Sequence, residues 1–456
     1  MADGVAAFPA ALAAAEQINF LARNAKEGLD TILAWRSLAT PEDVPAGIGS
    51  TLTLTRKGRI TSTTTPSTPQ SSMNIDSGMT ASAYSIEQYT LTMFDYSRMA
   101  AEIDNVQQQV GIYDQLLAGA RNSGVDAATT RDRLARAALF NAYMSGNTRV
   151  RTDLGAGSTT TCYVDDLRGF STVLVNGVVT AVSATNPLTV YESGTTAQTL
   201  SVTGVTPDVT NTSTAPGGIS GKLTFATATT PSQGDALVAI NAPAIIRSGG
   251  AATTAALVPS NTFNLQMILD MKLALENNAV PPFEDGLYRM LLDPTAQRQL
   301  MADQDFKVYF AGREDSEAIQ SGYVLKLLGI EFVPTTEVYI QAPSTNGAGG
   351  TLDSVGVTVR RPMLVGAEAL VEGQFTGLEN YLRDLKGNPG VVQAEMVDGT
   401  VHILRRPIDA LGRFYAIVWD WIGGYAVPTD LTATSAIIPT ASNALFKRAV
   451  IAEIAS

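Results

Sequence analysis

The chain is nearly empty of the residues on which most metal and acyl-transfer chemistry depends. Among 456 residues there is one cysteine, Cys162, and one histidine, His402. A lone cysteine excludes an intrachain disulfide framework and fits a reducing compartment. Zinc sites built from His and Cys need several such ligands and are excluded with it. Any Ser-His-Asp or Cys-His system has to work through His402, which sits in the strand-like run VHILRRP and reads as a structural histidine.

Charge is also scarce: Asp, Glu, Lys and Arg make up 16% of the chain, and the net charge is −12. A deficit of Lys and Arg argues against tight, sequence-independent nucleic-acid binding, which needs clustered cations to displace phosphate counterions. It leaves room for a surface that lies beside DNA without gripping it. No apolar run approaches the roughly 18 residues of a membrane span. Asp3 and no Lys or Arg precede the apolar stretch Val5 to Ala15, so the basic start of a signal peptide is missing.

Signature motifs are missing too. There is no GxxxxGK[ST], no GxGxxG after a strand and no GxSxG. The Gly-rich run Gly347 to Gly350 opens onto Thr351-Leu352 rather than onto a helix, so it does not cradle phosphate. Asp165 and Asp166 are adjacent, and neighbours on a strand point to opposite faces. The acidic group Asp303, Asp305, Glu314, Asp315 and Glu317 lacks the periodicity of a calcium loop. No catalytic residue, metal ligand or cofactor is assigned, and an enzyme is the weakest class.

What is present is organisation. A chain of 456 residues exceeds one core and predicts two or three units. Residues 1–46 read as an N-terminal arm, with an alanine-rich helical pattern from Pro9 to Trp35 that has no partner in its own segment. In residues 47–96, Thr51 to Ile60 and Tyr84 to Tyr96 alternate at period two around a polar link, 61–83. This predicts a long hairpin with a flexible tip. Residues 97–146 read as two helices, Ser97 to Ala120 and, past Ser123-Gly124, on to Met144, ending at Ser145-Gly146. Arg131, Arg133 and Arg136 form a basic cluster there, read either as a solvated face or as a subunit contact.

Composition shifts sharply in residues 156–255, which hold 21 threonines and only eight charged residues. Short β-prone runs separated by Asn-Gly, Asn-Pro and Gly-Asp turns predict a small all-β barrel or sandwich inserted into the host fold. The host resumes at 256–456. An apolar helix spans Phe263 to Ala279, and a strand spans Leu287 to Leu292. Asp293-Pro294 then caps a helix, since the carboxylate accepts from free N–H groups and proline costs nothing at the first helical position. Strands follow in Gly322 to Ile340, in Arg360 to Phe375 and in the aromatic-rich region after His402. LFKRAVIAEIAS ends the chain as a short strand or helix. The fold class is α+β with an all-β insertion.

The order of these parts resembles the major capsid (coat) protein of tailed bacteriophages, with the Hong Kong 97 type fold. YRMLLDPTAQRQLM looks like the strand–Asp-Pro–helix element of that family's peripheral domain, and SGYVLKLLGIEFVPTTEV like the segment entering its axial domain. RRPMLVGAEALVEGQF and RRPIDALGRFYAIVWDWIGGYAVPTD look like later strands. The resemblance covers nearly the whole chain through the order of its motifs. It implies an N-arm, an E-loop hairpin at 47–96, a spine helix region at 97–155 and peripheral and axial domains within 256–456. It also implies a subunit that self-assembles as hexamers and pentamers into an icosahedral shell enclosing double-stranded DNA without binding it specifically. Shells of this kind form closed symmetric arrays with large obligate interfaces.

By the same resemblance the partners are copies of itself, a separate scaffolding protein, a portal and decoration proteins. The site is the virion capsid, assembled in the host cytoplasm, with no membrane. Candidate inter-subunit contacts are Arg56, Lys57 and Arg59 on the hairpin, Arg131, Arg133 and Arg136 on the helix, and Trp35. A lysine cross-link known in some relatives is not carried over, because Lys57 has no matching partner. A phage tail, baseplate or adhesin-like structural protein is the alternative; it accounts for the Thr-rich insertion but not for the helical segments.

Overall fold

The computed structural model of the chain describes residues 34–45, 49–57, 86–104, 115–151, 159–311, 326–341, 357–375, 393–397, 401–407, 414–428 and 447–456. Short gaps within 159–311 fall at 176–177, 194–196, 209–212, 214, 216, 241 and 252–253. The expected arm helix before Trp35, Arg59, the hairpin tip, the Gly347 to Gly350 run and the acids from Glu314 to Glu317 lie outside the described residues.

Period-two alternation becomes a ribbon. Thr51–Lys57 and Ile86–Thr92 pair antiparallel, residue for residue, from Thr51↔Thr92 to Lys57↔Ile86. Leu52, Leu54, Tyr89 and Leu91 pack with Val44 and Met93 at its root. The chain then stays extended: Phe94–Asp104 is a strand against Phe414–Ala426, where the spacing of apolar residues predicts a helix from Ser97. Ladder partners supplied from the distant end of the chain override the local signal.

A single helix, α1 (Gln115–Met144), follows and passes through Ser123-Gly124, where a break is predicted. Ala120, Ser123, Ala127, Ala128 and Ala135 are all fully buried. Ala120, Ser123 and Ala127 are spaced by three and four, and Ala128 and Ala135 by seven, so small side chains line the face that seats the helix on the sheets. That contact offsets the roughly 1 kcal/mol by which a mid-helix glycine is disfavoured.

Two sheets flank α1. The first has the order Ala39–Val44, Leu370–Phe375, Phe414–Ala426, Val401–Pro407, Gln393–Val397, with Phe94–Asp104 also on Phe414–Ala426. The second runs from Lys326–Leu327 through Ile330–Pro334, Tyr288–Leu292, Met363–Val365, Ala449–Ala455 and Val359–Arg360 to Ile340–Gln341. Its keystone is the chain's last strand, Ala449–Ala455, buried at every position. Helix α2 (Leu265–Asn277) packs on this sheet, with the Asn264 carboxamide oxygen accepting from the Met267 N–H at 3.0 Å. Asp293 accepts from the N–H groups of Thr295 and Ala296 at 3.2 and 3.4 Å and opens α3 (Pro294–Ala302), with α4 (Gln304–Ala311) behind it.

The inserted unit is a closed six-stranded antiparallel barrel. Its strand order is Asn147–Arg149, Ala236–Ala239, Leu188–Ser193, Gln198–Pro207, Gly221–Thr229, Thr159–Val164. A bridge between Val150 and Val164 joins the last strand to the first. Closure removes the open edges that such polar, Thr-rich strands would otherwise expose. The barrel starts at Asn147, ahead of the glycines read as its entrance, and Ile245–Arg247, inside the predicted window, pairs with Ala449–Ala455 of the second sheet. Its mouth depends on two glycines. Gly169 has φ +82°, and a Cβ there would sit 2.4 Å from the Gly146 nitrogen, while Gly146 has φ +76°.

Candidate functional site

No described group of three or more His, Cys, Asp or Glu is placed to hold a metal ion, and no described helix is long and apolar enough to cross a membrane. His402 lies on Val401–Pro407 with Asp420 opposite it in register. Cys162 is fully buried inside the barrel, where burial pushes its thiol up to about 12 and the nearby Glu192 adds to the shift. The groups that could carry function are the charged knots joining the elements and the surfaces those knots leave open.

The first knot centres on Glu372. Arg131 donates to its Oε1 at 2.9 Å, Arg36 Nε at 3.1 Å and the Tyr425 hydroxyl at 3.1 Å. Arg131 is 0% exposed and its guanidinium lies 5.2 Å from the centre of the Trp421 ring. One helical position on, Asp132 Oδ1 accepts from the N–H groups of Trp35 and Arg36 at 2.8 and 3.0 Å. Burial raises the Asp132 carboxyl, and those two bonds oppose the shift. Burial also raises the Tyr425 hydroxyl, with Glu372 adding to the effect. The sequence places Trp35 and Arg131 at subunit contacts. In the structure both are wholly buried within their own chain, so they pin the end of the arm to α1 and offer no surface to a neighbour.

The second knot uses the other two arginines of the helix cluster, Arg133 and Arg136. Arg133 donates to Glu337 through Nε and Nη2 at 3.2 and 2.9 Å, and Arg136 Nη1 reaches the same carboxylate at 2.7 Å. The bond from Arg133, then the charges of both arginines, hold the Glu337 carboxyl below its usual value against the effect of burial. Arg136 also stacks on Tyr339, 4.5 Å from the ring centre. The Arg133 side chain keeps 56% exposure, so only this member of the cluster still presents a cation to solvent.

The third knot sits where the barrel meets the second sheet. Glu453, in the middle of the last strand, accepts from Arg247 at 2.8 Å, Arg361 at 2.9 Å and Thr254 at 2.8 Å. Burial alone would raise this carboxyl, but Arg247 and Arg361 outweigh it and bring it to about 2. The residues that matter most here, Glu372, Glu453 and Glu337, carry no motif. Two of them had a usable signal: a single acid inside an apolar strand run, ALVEGQF and AVIAEIA. Such an acid requires a buried cation from elsewhere.

The hairpin cations Arg56 and Lys57 lie at the outer end of Thr51–Lys57, opposite Glu87 and Ile86 in register. Exposed apolar side chains mark other open faces: Phe94 and Met99 on the strand leaving the hairpin, Leu269 and Leu273 one turn apart on α2, and Val308 on α4.

No family model matches the chain, and no curated protein matches it. Solved structures do align with it over most of its length. The capsid of Ralstonia phage GP4 covers 93% of this chain and 89% of its own at 11% identity, with a TM-score of 0.48. The cyanophage Pam1 capsid asymmetric unit covers 89% and 85% at 13% identity and a TM-score of 0.45. The capsid of cyanophage P-SCSP1u covers 92% and 88% at 12% identity and a TM-score of 0.43. Likeness at this level leaves the function to be argued from the chain itself.

Proposed function

We propose that the chain is the shell-forming coat protein of a tailed bacteriophage, assembling with copies of itself around a double-stranded DNA genome. The observation that carries the reading is the hairpin. Its two strands, Thr51–Lys57 and Ile86–Thr92, pair with no third strand among the described residues and lead through Phe94–Asp104 into the first sheet. A two-stranded ribbon is marginal alone, and its open edges invite another chain. Its natural resting place is a neighbouring subunit, as the resemblance to the coat-protein family implies for an E-loop. Arg56, Lys57 and Arg59 are proposed to reach that neighbour, with Arg133 as the exposed cation of the helix cluster.

Other features support the same reading. Exposed Phe94, Met99, Leu273 and Val308 are apolar surface that a second copy would cover. The net charge of −12 suits a wall against which DNA must pack without sticking. A separate scaffolding protein, a portal and decoration proteins belong to the proposal as partners, and the host cytoplasm as the place of assembly. Sedimentation velocity and negative-stain microscopy of the purified chain, alone and co-expressed with a scaffold, test it. Uniform closed shells are expected; a stable monomer at high concentration under both conditions overturns it.

A further inference from the structure

The strand Ala449–Ala455 is buried at every position and paired along both edges. On one edge it runs antiparallel to 359–365 in a single register, from Val359↔Ala455 to Val365↔Ala449, with the Ala452 N–H donating to the Pro362 carbonyl between them. On the other edge lies Ile245–Arg247, the chain leaving the barrel, parallel to it. We infer that this strand docks last, and that until it does the second sheet stays open and the exit strand of the barrel stays unfastened from the core.

Both apolar clusters around the second sheet need this strand. Val450, Ala452 and Ile454 belong to the cluster shared with α2, and Ala449 and Ile451 to the one shared with α1. Successive side chains of a strand point to opposite faces, so one missing strand opens both clusters at once. Among the described residues Ile245–Arg247 pairs with no other strand, so the barrel exit has no ladder before residue 449 arrives. The strands it joins are synthesised earlier, and contacts of such long range form only when the later partner is available.

The register adds a charge condition. Arg361 and Glu453 are each 2% exposed, and Arg361 donates to the Glu453 carboxylate at 2.9 Å. Arg247 stands opposite Glu453 on the other edge and donates to it at 2.8 Å. Closing the sheet before Glu453 arrives would bury the Arg361 guanidinium without its carboxylate. Arginine keeps its proton in proteins, and a buried charge stripped of its partner is strongly unfavourable. Early closure is therefore opposed as well as incomplete. Under the proposed function, this order keeps a subunit lacking the strand from presenting finished surfaces to its copies.

Ribosome-bound chains test the order. The full chain is followed by a Gly-Ser linker and a stall sequence; a short linker keeps 447–456 inside the exit tunnel and a long one frees them. A brief trypsin pulse is applied, and cleavage between Arg247 and Ser248 is measured by mass spectrometry. The short-linker chain is expected to be cut there. The long-linker chain, and either chain after release by puromycin, should be about ten-fold protected. Glu453→Gln with the long linker should lose most of that protection. Protection already present with the short linker overturns the inference, as does a long-linker chain that stays cleavable until puromycin is added. Protection of Glu453→Gln equal to the parent's overturns the charge condition. The assay reads single chains, so its failure leaves the coat-protein reading intact, and a failure to form shells leaves this order intact.

Discussion

Arg131 and Glu372 stand 241 positions apart in the chain and meet at 2.9 Å with essentially no solvent on either side chain. The contact ties the centre of α1 to the first sheet, and Arg36 brings the end of the arm to the same carboxylate. Removing one partner of such a pair leaves a buried charge uncompensated, whereas replacing both with apolar groups does not. All three tryptophans, Trp35, Trp419 and Trp421, are buried, and Trp35 and Trp421 touch this knot directly. Arg131→Met is expected to cost about 3 kcal/mol, because Arg36 still partly serves Glu372. Combining Arg131→Met with Glu372→Leu should recover part of that loss. Urea unfolding followed by tryptophan fluorescence measures both.

The barrel should respond to pH in the sense opposite to most folded domains. Glu192 and Asp235 are both buried within it. Burial chiefly, opposed by a bond from Gln198 and aided by Asp235, raises the Glu192 carboxyl from 4.5 to about 7. A raised carboxyl pKa means that the folded state holds the proton more tightly than the unfolded state. Its contribution to stability is full below pH 4.5 and is lost as pH rises through about 7. Cys162 provides the probe, since it is the single thiol of the chain and fully buried in the barrel. The ratio of thiol-labelling rates, parent over Glu192→Gln, should climb across that interval; a flat ratio refutes the assignment.

Glu453 should behave in the ordinary direction. Its carboxyl is lowered from 4.5 to about 2, so its contribution is present above pH 4.5 and disappears as pH falls through about 2. Near-ultraviolet circular dichroism of the parent chain should lose signal over that acid range. Glu453→Gln, already destabilised at neutral pH by about 3–5 kcal/mol, should lack the acid transition.

The barrel mouth should tolerate no side chain at Gly169. Alanine there combines a left-handed backbone with a Cβ 2.4 Å from another backbone nitrogen. Gly250→Ala is the control: φ is +69°, but nothing lies within 4 Å of the added atom. The control is expected to cost about 1–2 kcal/mol, and Gly169→Ala enough to expose Cys162 to rapid labelling in the native buffer.

A change at Leu273 tests the proposed assembly apart from folding. It is 54% exposed on α2, so Leu273→Asn should change stability by less than about 0.5 kcal/mol. If copies of the chain cover this face, the same variant should reduce shell yield several-fold by sedimentation. Unchanged yield would place the contact elsewhere.

Local chemistry was legible wherever a few adjacent residues decide the outcome. LLDPT predicted a strand, a cap and a helix, and Asp293 caps α3 through Thr295 and Ala296. Alternation in Thr51–Lys57 predicted the ribbon, and the Thr-rich, turn-punctuated stretch predicted an all-β unit, which is the barrel. Reading by periodicity failed at residues 97–104, where apolar spacing suits a helix but Phe414–Ala426 supplies a ladder. It failed again at Gly124, where a stripe of buried small residues keeps the helix continuous. The arginine cluster was visible as a cluster, yet its partners Glu372 and Glu337 lie hundreds of positions away.

The sequence by itself determined the class of the molecule: an α+β chain with an all-β insertion, a long hairpin, one thiol, one imidazole and a negative net charge. Those properties follow from composition and from patterns a few residues long. Tertiary structure alone decided which charges are spent inside the chain and which remain at its surface. Trp35 and Arg131 are wholly buried, while Arg133 stays at the surface. The same holds for Glu453, isolated in an apolar run, around which Arg247 and Arg361 converge. Burial and pairing of a charge depend on what the fold brings within about 4 Å, and sequence distance carries no information about that.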